Sequence, residues 1–331
     1  MKENSVSLKA IASRLGVSIN TVSHALRDLD DISEALKIRI RRTAIDMGYM
    51  PNHVAQKMKK DERPVVGVFA DDFSNLYFNS LYAELLKAFR GSEEFDCVLM
   101  FSKSRAFDVE MIKKCILQRV DVIITYIIFD AATAEFARLN NVRIVYAGSA
   151  FTSDVEAYGV DIVDIDNNCG CRLAADYFAE RGTGDKLAFV GSDYTFSLAR
   201  YDSFREETEK LNPGAQIDFY NISTDDISVL YDMLRRGCRG IFCFNDMTVY
   251  ELLRKLSDVD KNVFRTFPDL DILGFDGLCE RIDGFMQIST IMIDFRLFAE
   301  KVYETVKLRI ENPTAPPIRV KLPVTLHRKR E

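Results

Sequence analysis

Hydrophobic residues recur at spacings of three and four along the first fifty or so positions, and this rhythm predicts three short helices. Ser7, Ser18 and Ser33 are favourable N-cap residues, and each stands directly before one of these helices. Gly16 is predicted to end the first helix and Gly48 the third. The predicted inward positions are Leu8, Ile11, Ala12, Leu15, Val22, Ala25, Leu26, Leu36, Ile40, Ala44 and Met47.

The second predicted helix combines an apolar inner face with short polar side chains. Its spacing leaves Ile19, Asn20, Ser23 and His24 on or near the outward face. Two short helices joined at a tight turn containing glycine can place the second across the major groove of DNA. An ordinary three-helix core satisfies the same pattern, so the helices alone leave both interpretations open.

After Pro64 the pattern changes to short apolar runs that alternate with amphipathic stretches, which predicts a parallel sheet covered by helices. The predicted strands are 65–70, 97–101, 121–128, 143–147, 186–191, 217–220, 240–244 and 271–275. One helix is predicted around Leu81, Leu85 and Phe89, and further helices at 168–181, 197–211, 227–236, 248–256 and 295–310. The run therefore predicts an α/β body in two halves.

Composition and charge support a small module on a separate body. The chain has 331 residues, of which 47% are hydrophobic and 28% charged, so two or three folded domains are expected. Residues 1–60 contain eleven Lys and Arg against six Asp and Glu, which gives +5 and leaves −11 for the rest of a chain of net charge −6. A local basic segment is what phosphate neutralisation requires, although chance can produce the same asymmetry.

No apolar run is long enough for a membrane helix and no apolar stretch typical of a signal peptide opens the chain, so a cytoplasmic protein is expected. The seven cysteines include no CxxC pair, and we expect them to be reduced and mostly buried, with no metal or other cofactor.

The helical segment carries a specific resemblance. The runs "SLKAIASRLGVSINTVSHAL" and "ISEALKIRIRRTAIDMGYMPNHVAQKM" closely resemble the headpiece of LacI/GalR-family bacterial transcription regulators over about 50 residues, including the YxPN motif, here Tyr49-Met50-Pro51-Asn52. The resemblance implies an N-terminal all-α helix-turn-helix headpiece plus an α/β periplasmic-binding-protein-like core of two Rossmann-like subdomains.

This resemblance implies roles for individual residues. Ile19 and Asn20 would enter the major groove, and the stretch from Asn52 onward would become a helical hinge on DNA. His24 stands where the family usually has an arginine that contacts guanine, and Met58 stands where it has a leucine wedged into the minor groove. The predicted DNA-binding residues, including phosphate contacts, are Ser7, Ser18, Ile19, Asn20, Thr21, Ser23, His24, Ser33, Asn52, Val54, Ala55 and Met58.

The resemblance also predicts the domain boundaries. The headpiece would span 1–51, the hinge 52–63 and the effector-binding and dimerisation core 64–331. Within the core, the N-subdomain would comprise about 64–163 and 294–322, and the C-subdomain about 164–293 and 323–331. The chain would cross between the subdomains near 161–166, 291–294 and 322–325.

Polar residues at predicted strand ends mark a candidate ligand site, because open α/β sheets bind ligands beyond the carboxyl ends of their strands. Arg200 matches an effector-binding arginine of the family, in a motif whose glycine is Ser203 here, whereas Gly148 lacks the polar side chain that sugar-responsive members often carry. The predicted effector-binding residues are Phe73, Asn75, Phe78, Arg200, Asn245, Asp246 and Asp276. The alternatives are an N-cap role for Asp246 and a solvated surface position for Arg200.

Taken with the resemblance, these features predict a DNA-binding repressor. A homodimer would bind a pseudo-palindromic operator under the control of a small molecule, with a sugar or sugar derivative as the leading candidate. The competing hypotheses are an α/β enzyme and a solute-binding protein acting on a small polar metabolite. No GxGxxG, GxxxxGK[ST], HExxH or GxSxG motif supports an enzyme, and His327 is the only histidine after residue 60.

Overall fold

The computed structural model describes residues 7–26, 29, 31–47, 49, 63–71, 73–102, 104, 106–148, 155, 157–280 and 287–329. Within these ranges the chain forms a small helical module followed by two parallel-stranded sheets with helices. This architecture agrees with the predicted fold class.

The helical module contains α1 (Leu8–Leu15), α2 (Ile19–Leu26) and α3 (Glu34–Asp46). Ser7 caps α1, since its side-chain Oγ accepts a hydrogen bond from the Ala10 amide at 3.2 Å. Gly16 ends α1 with a φ of +67°, a conformation that favours glycine. The residues at the predicted inward positions form one core, in which Ile11, Val22 and Ala25 are fully buried. The first two helices therefore have the predicted bounds, whereas α3 ends at Asp46 and Gly48, which was predicted to end it, lies outside the described residues.

Six strands form the first sheet, in the order β11-β5-β4-β3-β1-β2. Its strands are β1 (Val65–Phe69), β2 (Asp96–Met100), β3 (Val122–Thr125), β4 (Arg143–Gly148), β5 (Asp161–Ile165) and β11 (Arg319–Leu322). Strand β1 pairs in parallel with β2 and β3, with Val66 opposite Cys97 and Val122. Strand β5 pairs in parallel with β11, and Asp164 lies opposite Lys321.

Six strands also form the second sheet, in the order β12-β10-β9-β8-β6-β7. Its strands are β6 (Lys186–Gly191), β7 (Gln216–Asn221), β8 (Gly240–Cys243), β9 (Asp271–Asp276), β10 (Ser289–Met292) and β12 (Thr325–His327). Strand β12 pairs antiparallel with β10, whereas β6, β8 and β9 pair in parallel with their neighbours. The C-terminal ends of these parallel strands share one edge of the sheet.

Helices connect the strands. They are α4 (Leu76–Phe89), α5 (Val109–Leu117), α6 (Ala131–Leu139), α7 (Asn167–Glu180), α8 (Thr195–Leu211), α9 (Ile227–Arg235), α10 (Asp246–Val259), α11 (Val263–Thr266) and α12 (Phe295–Glu311). A short 3-10 turn, Leu278–Glu280, follows β9. Of these, α5, α6 and α11, with strands β5 and β10, were not among the elements predicted from the sequence. The tail after α12 was expected to contain one strand-like stretch, and it contains the two short strands β11 and β12.

The structure corrects two predicted boundaries. The third strand was predicted to continue to Ile128 but ends at Thr125, whose hydroxyl accepts a hydrogen bond from the Ile127 amide at 3.2 Å and so turns the chain. The helix predicted from Thr248 starts two residues earlier, at Asp246, because Asn245 supplies its cap.

The chain passes from the first sheet to the second between β5 and β6, returns between β10 and β11, and enters the second sheet again with β12. By packing it divides into two compact units, 1–71 with 92–145 and 306–315, and 72–91 with 146–305 and 316–331. The core site residues discussed below belong to the second unit. The predicted boundaries of headpiece, hinge and subdomains stay predictions.

None of the helices that the structure describes is both long and apolar enough to span a membrane.

Candidate DNA-binding helix and effector site

Helix α2 packs one face against α1 and α3 and turns the other outward. Val22 and Ala25 are fully buried, whereas Ile19 is 46% exposed and Asn20 is exposed. Ser18 holds the first turn, since its Oγ accepts a hydrogen bond from the Thr21 amide at 3.0 Å. A short helix held in this way, with small outward side chains, has the geometry of a major-groove reading helix.

His24, at the flank of that outward face, is bound to a carboxylate. Its Nδ1 lies 2.5 Å from Oδ2 of Asp31, in the segment between α2 and α3. The imidazole is 34% exposed and the Asp31 side chain 54% exposed, so the pair lies at the surface. The acidic partner of this histidine was not predicted from the sequence.

The other predicted DNA-binding residues fall into two groups. Ser7 and Ser33 are exposed and lie at helix N-termini, where the Ser33 carbonyl accepts hydrogen bonds from the amides of Leu36 and Lys37. Their contacts with phosphates stay predictions. The predicted hinge residues Asn52, Val54, Ala55 and Met58 lie outside the described residues.

Arg200, on α8, is a buried cation with only 3% of its surface exposed. Its guanidinium carbon lies 3.7 Å from the ring centre of Phe275 and 4.9 Å from that of Phe244. Nη2 donates to Oδ1 of Asn167 at 2.6 Å, and Nη1 donates to the Phe244 carbonyl. In the part of the chain that the structure describes, the buried Nε has no hydrogen-bond partner. The alternative that Arg200 is a solvated surface residue is therefore wrong.

Asp276 ends β9 in a strained conformation, with a φ of +120° that a residue with a side chain seldom adopts. It is 5% exposed. Burial, foremost, and the charge of Asp246 raise its pKa well above the ordinary value, while the charge of Arg200 acts in the opposite direction. Among the described residues Asp276 has neither a side-chain hydrogen bond nor a direct ion pair with Arg200. A buried carboxylate and a buried Nε donor are thus both available to a ligand.

The carboxylate of Asp246 is held by the protein itself. Its side chain is fully buried, Oδ1 accepts from the Thr290 hydroxyl at 2.6 Å, and Oδ2 accepts from the Leu278 amide at 2.7 Å. Gly274 provides the space, because a Cβ at that position would collide with Oδ1. Burial raises the pKa of Asp246, and these hydrogen bonds oppose the rise. Asp246 therefore supports the strand ends around Asp276.

Two predicted ligand residues are helix caps. Oδ1 of Asn245 accepts hydrogen bonds from the amide and the hydroxyl of Thr248, each at 2.8 Å, and so caps α10. The alternative that Asp246 provides this cap is wrong. Oδ1 of Asn75 accepts from the Tyr77 amide at 3.0 Å and caps α4. The side-chain amide nitrogen of either residue could still donate to a ligand.

Aromatic rings surround the start of α4. Phe73 is 50% exposed, and its ring centre lies 5.6 Å from that of Tyr82. Phe78 packs edge-on against Tyr77 at 5.2 Å, and Tyr77 packs against Phe295 at 5.3 Å. No described contact joins Phe73 or Phe78 to Arg200, so their place in the ligand site stays a prediction.

The helical module and the core each match known proteins. Residues 7–52 match the family model "Bacterial regulatory proteins, lacI family". The HTH-type transcriptional regulator RegA of Clostridium saccharobutylicum is 24% identical over 284 residues, which cover 82% of each chain. Residues 7–52 therefore form a lacI-family helix-turn-helix module.

Two solved structures show the same fold as this chain. The Lac repressor dimer bound to operator and the anti-inducer ONPF has 18% identity and a TM-score of 0.64. The CelR–cellobiose complex has 19% identity and a TM-score of 0.63. In both comparisons 98% of each chain is covered. These likenesses confirm the predicted headpiece and periplasmic-binding-protein-like core.

Sequence analysis missed Asn167, the first residue of α7. It is 4% exposed and binds the guanidinium of Arg200 through its Oδ1. It follows Asp166, whose side chain accepts a hydrogen bond from the Cys169 amide and caps the helix. The polar run Asp166-Asn167-Asn168 was the available signal, but it indicated only a helix start.

Two further buried polar residues, Asp164 and Tyr146, were also missed. Burial, foremost, raises the pKa of Asp164 to about 7, and the charge of this carboxylate acts on both Tyr146 and Arg200. A Cβ at Gly148 would collide with the hydroxyl and ring of Tyr146. The polar atom that a side chain at 148 would supply is therefore provided by Tyr146.

Five of the seven cysteines are buried: Cys115, Cys171, Cys238, Cys243 and Cys279. Burial raises the pKa of the Cys115, Cys171 and Cys238 thiols, so these are inert core residues. Within the described ranges no three His, Cys, Asp or Glu side chains are grouped as metal ligands would be.

Proposed function

We propose that this chain is a transcriptional repressor that binds operator DNA through α2. Its affinity for the operator would rise or fall when a small molecule binds the core. The observation that carries this proposal is the lacI-type headpiece at residues 7–52 on a core that shares its fold with regulators. The Lac repressor, one such relative in fold, is a dimer on its operator. A homodimer on a pseudo-palindromic site follows for this chain.

The charges around Arg200 favour an uncharged, hydroxyl-rich effector. Arg200 interacts electrostatically with the buried carboxyl groups of Asp276 and Asp164, and Asp276 also interacts with the buried carboxyl group of Asp246. A sugar phosphate would bring about two negative charges next to these carboxyl groups, and removing its phosphate from water would cost much free energy. A neutral sugar would instead donate hydroxyl hydrogens to Asp276 and accept from Nε of Arg200. The cellobiose held by CelR is in line with this ligand class.

Coupling between the two sites would be geometric. In the proposed arrangement the headpiece (1–51) and hinge (52–63) precede a core whose two subdomains close on the effector. Closure would alter the spacing of the two hinges in a dimer and thereby the fit to both operator half-sites. No catalytic step belongs to this proposal.

A thermal-shift screen of neutral sugars against the corresponding sugar phosphates tests the ligand class with the purified full chain. We expect a neutral sugar to raise the melting temperature and its phosphate to have little effect. A phosphate that stabilises the chain more than the neutral sugar would contradict the charge argument. Turnover of the ligand would instead favour the enzyme hypothesis.

Variants then locate the site. Arg200→Ala and Asp276→Ala should each lower effector affinity at least about tenfold, because the opposing polar groups are left buried and unpaired. Arg205→Ala is the matched control, since Arg205 lies on the same helix with its side chain 56% exposed. Operator affinity without effector should stay near that of the unaltered chain. Normal effector binding by both variants would refute the site.

A further inference from the structure

The headpiece contains a histidine and carboxylate pair on its reading helix. Nδ1 of His24 lies 2.5 Å from Oδ2 of Asp31, within hydrogen-bond distance. Among the residues that the structure describes, Nε2 of His24 has no hydrogen-bond partner. The ring is 34% exposed on a helix whose outward face also carries Ile19 and Asn20.

The carboxylate determines which ring nitrogen of a neutral imidazole carries the proton. An ionised carboxylate only accepts hydrogen bonds, so Nδ1 must be the donor in this pair. In the neutral ring the other nitrogen, Nε2, is then an acceptor. The exposed edge of His24 consequently presents an acceptor to whatever lies against α2.

The major groove distinguishes donors from acceptors. Adenine presents its N6 amino group there and cytosine its N4 amino group, whereas guanine presents the acceptors N7 and O6. An Nε2 acceptor can bond to either amino group and finds no partner on guanine. The base preference of such a helix is therefore opposite to that of a helix with a donor at the same place.

We propose that Asp31 sets the base specificity of α2: it fixes His24 with the proton on Nδ1, so that Nε2 accepts a hydrogen bond from an adenine or cytosine amino group. This inference rests on the proposed function, since it presupposes that α2 lies in the major groove. It assigns to Asp31, which touches no base, the role of a positioning residue.

Selection of binding sites from a randomised inverted-repeat library tests the proposal with the full-length chain. The selection is run at about pH 8, where imidazoles are ordinarily neutral, with and without an extract of small metabolites. We expect one base pair per half-site at which the preference of the unaltered chain disappears in His24→Ala. If every preference persists in His24→Ala, the proposal is overturned.

Base analogues then identify the group that is recognised. At the selected position, adenine is replaced by purine or cytosine by 2-pyrimidinone, so that only the amino group is removed. The affinity of the unaltered chain should fall about three- to tenfold, which is the worth of one hydrogen bond. The affinity of His24→Ala should not change, and an equal fall in both proteins would overturn the proposal.

Asp31→Asn tests the positioning role. An asparagine amide can donate to Nδ1 as well as accept from it, so both tautomers become available and the preference at this one position should shrink to about twofold or less. Preferences at the other positions should persist, which shows that the variant is folded. An unchanged preference would overturn the role of Asp31.

Glu34→Gln is the matched control for this variant. It removes one negative charge from the same module, from a side chain that pairs with Lys37 instead of His24. Both variants should gain similar nonspecific affinity, but only Asp31→Asn should lose the base preference. If the full chain selects no sequence from the library at all, the proposed function itself fails; a selected base pair whose amino group can be removed without loss of affinity defeats this inference alone.

Discussion

Replacing Asp164 by asparagine should stabilise the protein at neutral and alkaline pH. Asp164 is 4% exposed in β5, and its Oδ1 accepts a hydrogen bond from the Ile165 amide at 2.7 Å. Burial raises its pKa from 3.8 to about 7, although that hydrogen bond and the charges of Lys321 and Arg319 oppose the rise. Asparagine keeps the acceptor oxygen and nearly the same shape, and it cannot ionise.

The size of the effect follows from the difference in pKa between the folded and the unfolded chain. A shift of roughly three units corresponds to about 4 kcal/mol. Because the folded protein keeps the proton to a higher pH than the unfolded chain does, the free energy of unfolding falls as pH rises from about 4 to about 7. Below that window both states hold the proton and no penalty exists. Above it the penalty of burying the charge is complete.

The assay is thermal and guanidinium unfolding of the unaltered chain and Asp164→Asn, from about pH 4.5 to about pH 8.5. The difference in unfolding free energy should grow with pH, from about 1 kcal/mol at about pH 4.5 to as much as about 4 kcal/mol at about pH 8.5, which is several degrees in melting temperature. Asp218→Asn removes a carboxyl group from an exposed position on β7 and serves as the control, for which the difference should stay flat. A variant that is no more stable than the unaltered chain at about pH 8 would refute the reasoning, because a buried charge would then carry no cost.

Three further predictions concern the DNA interface and one helix cap. Operator affinity, measured by fluorescence anisotropy, should fall on the order of 10- to 100-fold when the salt concentration doubles, because the basic module displaces counterions from several phosphates; a salt-independent affinity would contradict DNA binding by this module. Met58→Ala should weaken binding to the selected operator more than binding to random DNA in the same assay, since a minor-groove wedge favours only a deformable central step; equal losses on both DNAs would argue against the wedge. Asn245→Ala should lower the free energy of unfolding by about 1 kcal/mol in guanidinium titrations, because Oδ1 of Asn245 accepts a hydrogen bond from the Thr248 amide at the start of α10. An unchanged free energy of unfolding would mean that water replaces this cap.

The hydrophobic pattern predicted most strands and helices because each buries a continuous apolar face. It missed α5 and α6, although apolar residues such as Met111, Ile112 and Cys115 recur there at helical spacing. Strand β5 was not predicted because its sequence, DIVDI, has an aspartate on each side of a short apolar run. All five of its residues are nevertheless buried. A buried acid is rare, so sequence reasoning assigns such a residue to the surface by default.

The candidate ligand site was predictable only in part, for a related reason. Arg200 and Asp276 could be found by matching positions in a family, since each stands at a recognisable strand or helix end. Asn167 could not, because its role depends on a guanidinium that comes from a helix 33 positions later in the chain. The pairing of His24 with Asp31 likewise joins two residues that share no helix. Contacts between elements decide which polar groups are satisfied and which remain for a ligand.

Glycines at strand ends show how far position-by-position comparison can mislead. Gly148 ends β4, and its lack of a side chain suggested a missing polar group, yet the Tyr146 hydroxyl occupies that space. Gly191 is similar, because the Ser197 hydroxyl fills the space that a side chain at 191 would need. This hydroxyl accepts a hydrogen bond from the Ser192 amide at 3.0 Å. At Gly274, inside β9, a carboxylate oxygen of Asp246 fills the corresponding space. In each case a glycine admits a polar atom from a side chain elsewhere in the chain, so the polar group beside the strand comes from a different position than the glycine.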